Sequence, residues 1–98
     1  MSEITIDQAN ARRGSDQILD VRESLEIADG MIPGAIHIPM GELGARLAEL
    51  DGSRPVIAVC RSGNRSARVA DALNEAGFTA DTMAGGMTAW TRAGLPVR

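Results

Sequence analysis

Four apolar residues in a row, Val56, Ile57, Ala58 and Val59, follow Pro55 and end at Cys60. Such a run shows no alternation, so it suits a strand buried on both faces, as in a parallel sheet. The next six residues are polar or glycine. Apolar residues then return at helical spacing as Val69, Ala72, Leu73 and Ala76, with Gly77 placed to end the helix. Strand, tight loop and helix over residues 56–77 form the unit around which the remaining elements must be arranged.

The loop has a chemistry of its own. Residues 61–66 contain no proline, so each offers a backbone N–H. Gly63 relaxes the backbone restriction, and Asn64 tolerates left-handed angles. A tight loop entering a helix can aim several N–H groups at one point and form an anion-binding concavity. The helix start adds about half a positive charge, and Arg61 and Arg65 add two full ones where they face inward. Cys60, the only cysteine in the chain, stands at the mouth of this concavity. A cysteine ending an apolar strand is commonly an inert buried hydrophobe. An electropositive setting instead lowers the thiol from about 8.5 to about 3.5–7.5, and the thiolate is the nucleophile. Cys60 is therefore the candidate nucleophile, with Arg61, Ser62, Gly63, Asn64, Arg65 and Ser66 as its binding loop.

Elsewhere strand-like and helix-like stretches alternate. Ile4–Ile6 reads as a short strand, and Asp7 is placed to cap a helix through Arg13 that Gly14 ends. Ile18–Val21 reads as a buried strand with Asp20 and Arg22 at its end, where sites collect in open α/β sheets. Glu23–Asp29 is expected to make two helical turns stopped by Gly30, and Ala35–Ile38 a strand cut off by Pro39. Met40–Leu50 reads as one amphipathic helix with Leu43, Leu47 and Leu50 on its core face. Phe78–Met83 is expected as the last strand and Gly85–Gly86 as a flexible turn. Met87–Arg92 is expected as a short helix that Trp90 packs onto the sheet. His37 reads as a structural or surface residue. The alternation predicts an α/β fold, a small mainly parallel sheet flanked by helices on both faces, with residues 1–98 as one domain.

Composition narrows the partners. Net charge is −3, with ten arginines and no lysine. Mild acidity argues against a nucleic-acid partner, and Phe78 and Trp90, the only aromatic residues, make no base-stacking platform. One histidine and one cysteine far apart do not make a metal site. A single cysteine cannot form an internal disulfide, which fits a reducing compartment. No apolar run approaches the roughly 20 residues of a membrane span. Met1–Ile6 lacks the basic and long apolar segments of a signal peptide. A cytoplasmic location with no membrane partner is expected.

Taken in order, Asp20-Val21-Arg22, Gly30-Met31-Ile32-Pro33-Gly34-Ala35, Ile38-Pro39, Cys60-Arg61-Ser62-Gly63-Asn64-Arg65-Ser66, Gly77-Phe78, Gly85-Gly86-Met87 with Trp90, and Gly94-Leu95-Pro96-Val97 resemble a single-domain rhodanese. The resemblance implies a rhodanese-like fold and a thiosulfate sulfurtransferase that needs no cofactor. A sulfane sulfur from thiosulfate or a persulfide donor would load Cys60 as a persulfide. It would then pass to cyanide or a thiol, a sulfur-carrying protein being a further partner of the same kind. By fold analogy Asp20 and Arg22 would support the loop from the neighbouring strand end. Arg65 would hold the loop's shape against Asp20 or Glu26, the alternative being a solvated Arg65, and Arg61 would face the mouth and attract an anionic donor. One position departs from the family: Met31 stands where histidine is usual, which bears on local packing.

Two other readings stay beside this one. Cysteine phosphatases and arsenate reductases of related fold place five residues between cysteine and arginine, whereas four separate Cys60 from Arg65. Serine, at Ser66, stands where their arginine would make its bidentate oxyanion contact. Rhodanese-like domains also serve as non-catalytic binding or regulatory modules, typically where the cysteine is missing, and Cys60 is present with its whole loop.

Overall fold

The computed structural model describes residues 3–98, so the first two residues of the Met1–Ile6 stretch lie outside it. Five strands, β1 (Glu3–Ile4), β2 (Gln17–Asp20), β3 (Ile36–His37), β4 (Val56–Val59) and β5 (Ala80–Met83), form one sheet in the order β1-β5-β4-β2-β3. Every pairing between them is parallel. β4 lies at the centre and is buried along its whole length, as an unbroken apolar run requires. Its alternate residues feed two cores. Val56, Ala58 and Cys60 join Val69, Ala70 and Leu73 of α4 (Asn64–Glu75) on one face. Ile57 and Val59 join Ala9 of α1 (Ile6–Arg12) and Met87 and Trp90 of α5 (Gly86–Arg92) on the other. Helices thus cover both faces, and the end of β4 opens between α4 and α5. Among the described residues no helix is long and apolar enough to cross a membrane.

Several boundaries differ from the expectations. The first strand stops at Ile4 because Thr5, not Asp7, caps α1. Its hydroxyl accepts from the Gln8 N–H at 3.1 Å while Gln8 Oε1 accepts from the Thr5 N–H at 2.8 Å, a reciprocal capping box. The second strand begins one residue early, at Gln17, and ends at Asp20. Gln17 is tolerated in the core because its amide is fully used: it donates to the Asp51 carbonyl at 2.7 Å and accepts from the Asp51 N–H at 2.7 Å. The segment after β2 makes a single turn, α2 (Ser24–Ile27), before Gly30 takes φ +114°. Met40–Leu50 is not one helix. Only Leu43–Arg46, α3, is α-helical, with 3₁₀ turns at Met40–Glu42 and Leu47–Glu49. Gly41 and Gly44 each weaken a continuous helix by about 1 kcal/mol, and the segment instead bends to bury Leu43 and Leu50. The last strand starts at Ala80, where the Asn74 side chain brackets the Ala80 N–H and carbonyl at 2.9 Å each.

Trp90 packs α5 onto the sheet as expected. It is wholly buried, and its indole N–H donates to the Pro96 carbonyl at 2.8 Å, tying down the segment after α5. Trp90→Ala should cost about 3–5 kcal/mol, a large part of the about 5–15 kcal/mol that holds a domain together. Trp90→Phe should cost much less. Urea denaturation of both variants checks the order, and equal midpoints would count against Trp90 as the keystone of this face.

Candidate active site

Cys60 is the first residue beyond the central strand and is 1% exposed. Two hydrogen bonds from α5 set the path of the chain that leaves it. The Met87 N–H donates to the Cys60 carbonyl at 2.9 Å, and the Thr88 N–H to the Arg61 carbonyl at 3.0 Å. In a trans peptide the carbonyl and the following N–H point in opposite directions. With the Arg61 carbonyl turned to α5, the Ser62 N–H turns back to the sulfur, and it is one of the bonds that acidify the thiol. The Gly63 N–H reaches Cys60 Sγ at 3.1 Å and the Ser66 N–H at 3.4 Å. Gly63, at φ +106°, makes the left-handed bend that brings the chain from strand to helix.

This approach of α5 leaves no space for a side chain at Gly86. A Cβ there would lie 2.5 Å from the Cys60 carbonyl oxygen and from backbone atoms of Arg61, and the residue has φ +58°. Gly85–Gly86, expected as a flexible turn, is a fixed contact surface against the back of the loop.

The sulfur's surroundings act in opposite directions. Burial raises the Cys60 pKa. The Ser66 hydroxyl, 3.4 Å away, and the N–H groups of Ser66, Gly63 and Ser62 lower it, and the net direction is down. The lowering comes chiefly from converging hydrogen bonds, with the Arg65 charge beside them. Behind Ser66 lies the hydroxyl of Thr82 on β5, 2.7 Å from Ser66 Oγ.

The two loop arginines are placed differently. Arg65 forks onto Glu26 of α2 at 2.6 and 2.8 Å, a bidentate pair across 39 residues of sequence. First through this hydrogen bond, Arg65 holds the Glu26 pKa down at about 2, and Glu26 raises that of Arg65 in turn. Arg61 is exposed and makes no side-chain hydrogen bond or ion pair among the described residues. It lines a cleft of about 230 Å³ together with Arg22, Glu26, Asp29 and, from α5, Thr88 and Thr91. Ser62 and Asn64 are exposed, Asn64 opening α4.

Asp20 and Arg22 pair with each other and make no hydrogen bond to the sulfur among the described residues. Arg22 is 5% exposed and Asp20 1%. Arg22 Nε and Nη2 donate to the Asp20 carboxylate at 2.8–3.1 Å, and Nη2 also donates to the Gly30 carbonyl at 2.8 Å. The pair clamps both ends of the segment that carries Glu26. Removing one partner from such a buried pair costs about 3–5 kcal/mol, because the other charge is left uncompensated. His37 turns Nε2 to the Arg22 carbonyl at 2.7 Å and serves the same corner. Met31 pairs by its backbone with Arg98, at 3.1 and 2.9 Å, and lines a separate cavity of about 380 Å³.

The structure therefore gathers Cys60, Ser62, Gly63 and Ser66 at the sulfur and Arg65 at the loop's outer tie, with Arg61 exposed at the adjoining cleft. Thr82 escaped the sequence analysis, and Gly86 entered it as part of a flexible turn and not as a contact of the loop. The paired glycines after β5 carried the only local signal for that contact. Thr82 carried none, since a threonine in a strand is ordinary.

The fold is shared with proteins to which this chain is similar. The family model described as Rhodanese-like domain matches residues 5–93. YtwF of Bacillus subtilis is 45% identical over 73 residues, spanning 74% of this chain and 71% of that one. A sulfurtransferase of Allochromatium vinosum is 40% identical over 81 residues, 82% and 76% of the two chains. The crystal structure of a rhodanese-related protein from Thermoplasma volcanium superposes with a TM-score of 0.95 at 30% identity, covering 100% of this chain and 98% of that one. A match over nearly the whole length, in sequence and in fold, assigns the chain to its family: it belongs to the rhodanese-like domains.

Proposed function

We propose that this protein is a sulfurtransferase that carries a sulfane sulfur on Cys60. The observation that supports it best is the acidified, buried sulfur that receives N–H groups from Gly63 and Ser66 at the head of α4. In the first half-reaction the Cys60 thiolate attacks the outer sulfur of thiosulfate. A new S–S bond forms, the old one breaks, and the electron pair leaves with sulfite. In the second, cyanide or a thiolate takes the outer sulfur, and Cys60 departs again as a thiolate. The N–H groups are already aimed when charge develops on sulfur, so no reorganisation is needed. No second cysteine lies in these 98 residues to resolve the persulfide, which favours an external acceptor, a small thiol or a sulfur-carrying protein. The phosphatase reading is disfavoured because Arg65 is occupied by Glu26 and Ser66 is buried under the loop.

Thiosulfate treatment should add the mass of one sulfur atom to the protein, and cyanide should remove it as thiocyanate. Cys60→Ser should gain nothing while keeping the wild-type circular dichroism spectrum. A wild-type protein that stays unmodified under these conditions, with thiosulfate at millimolar level, would overturn the proposal.

The arginines should separate in steady-state kinetics. Arg61→Ala should raise KM for thiosulfate by a factor that shrinks as salt rises, because an exposed charge acts within about 8–10 Å. Arg65→Ala should lower kcat with little salt dependence, because a loosened loop no longer aims its N–H groups. The same parameter falling with the same salt slope in both variants would contradict this division.

Glu26→Gln should behave as Arg65→Ala does, and its stability deficit should depend on pH in a defined sense. The Glu26 pKa is lowered in the folded state, from about 4.5 to about 2. Its contribution is therefore complete above about 4.5 and lost as pH falls through about 2. Urea unfolding should show wild type and Glu26→Gln furthest apart near neutrality and converging toward pH 2. A gap that stays constant with pH would mean that the ion pair is not its source.

A further inference from the structure

Three hydroxyl or carbonyl oxygens meet beneath the sulfur. Ser66 Oγ lies 2.7 Å from Thr82 Oγ1, 3.2 Å from the Gly63 carbonyl oxygen and 3.4 Å from Cys60 Sγ. Ser66 and Thr82 are both buried, and among the described residues Ser66 is the only hydrogen-bond partner of the Thr82 hydroxyl. Two hydroxyl protons must be shared in this group, and the Gly63 carbonyl can only accept.

Counting those protons gives two arrangements. While Cys60 is a thiol, its S–H can donate to Ser66 Oγ, and Ser66 then turns its own proton to the Gly63 carbonyl or to Thr82. Once Cys60 is a thiolate, Sγ can only accept, and Ser66 can turn its single proton from the Gly63 carbonyl to the sulfur. Its oxygen then needs a donor, and the Thr82 hydroxyl is within reach with no competing acceptor. Both hydroxyls rotate and neither loses a proton; the only proton that leaves is that of the thiol, to solvent.

We propose that Thr82 is a positioning residue for sulfur chemistry, its hydroxyl donating to Ser66 and thereby holding the Ser66 proton on Cys60 Sγ whenever that atom is anionic. The thiolate is the nucleophile when sulfur is loaded and the leaving group when sulfur is passed on, so one bond serves both half-reactions. A chain of hydrogen bonds polarises along its length, which makes the Ser66 hydroxyl a better donor with Thr82 behind it. Its effect on turnover rests on the sulfurtransferase reading; its effect on thiol acidity does not.

The charged groups nearest the sulfur are the same in every variant below. Arg65 acts on Cys60 from α4 and is paired with Glu26 of α2. Arg61 sits on the loop, and the Asp20–Arg22 pair closes the β2 corner. On β5, Asp81 turns to Arg12 of α1. The α5 residues against the loop, Met87 and Thr88, do not ionise.

The test is the rate of iodoacetamide alkylation of Cys60 against pH in wild type, Thr82→Val, Thr82→Ser, Ser66→Ala and the Thr82→Val/Ser66→Ala double variant. Alkylation reads the thiol without any sulfur transfer, so a failed sulfurtransferase assay and a failed result here remain distinct. Thr82→Val keeps the shape and removes the hydroxyl. It should move the midpoint to higher pH and slow alkylation about threefold or more at a pH below both midpoints, the worth of one ordinary hydrogen bond. Thr82→Ser should titrate like wild type. In the double variant the valine should add nothing to the effect of Ser66→Ala, because Thr82 acts through Ser66. A Thr82→Val midpoint equal to wild type, a Thr82→Ser midpoint displaced like that of valine, or additive effects in the double variant would each overturn the proposal. If the valine variant melts below the assay temperature, Thr82→Ala against Thr82→Ser makes the same comparison.

Discussion

Two backbone hydrogen bonds that cross the end of the sheet direct the site: Met87 N–H to the Cys60 carbonyl and Thr88 N–H to the Arg61 carbonyl. Peptide planarity carries their effect onward, since a carbonyl turned toward α5 commits the next N–H to the opposite side. That side is where the sulfur lies, packed with the α4 core and not the α5 core. The loop is therefore held from behind by one helix and presents its donors to the face of the other. The contact is close enough that only glycine fits at position 86.

Ion pairs perform a second task, which is mechanical. Asp20 and Arg22 fix the segment between β2 and Gly30, and that segment carries Glu26, which receives the Arg65 fork. The start of α4 is thus tied to a second strand end through four charged side chains. Arg65, for all its proximity to Cys60, is occupied by Glu26. Arg61 is left as the exposed loop cation at the adjoining cleft. The division follows from geometry: a planar guanidinium that meets a carboxylate with both nitrogens is fully engaged.

Much of the fold was legible because its signals are local. The run Val56–Val59, the helical spacing of Val69, Ala72 and Leu73, and the alternation of elements all report periodic burial. The alternation also pointed to a mostly parallel sheet, which proved parallel in every pairing. Boundaries were harder where a side chain overrides the pattern. Thr5 ends a strand by capping a helix, and Gln17 enters a core because the 51–54 loop satisfies its amide. The Met40–Leu50 segment kept its apolar face but not its helix, since burial needs only that Leu43 and Leu50 point inward.

Within the site the same line divides what the chain states from what folding decides. The sequence by itself determined the candidate loop, because Cys60, the proline-free N–H run and the helix that follows are contiguous, and contiguous residues carry their geometry with them. It also determined the family, through pieces spread over nearly the whole chain. Tertiary structure alone decided the rest: that Glu26, 39 residues away, takes Arg65, that Gly86 abuts the Cys60 carbonyl, and that Thr82 stands behind Ser66. None of these has a periodicity or a spacing. Each depends on which strand lies beside which, and the order β1-β5-β4-β2-β3 is a property of the packed sheet. Setting β5 and β2 on either side of β4 is what brings a hydroxyl from one and an ion-pair scaffold from the other to the same loop.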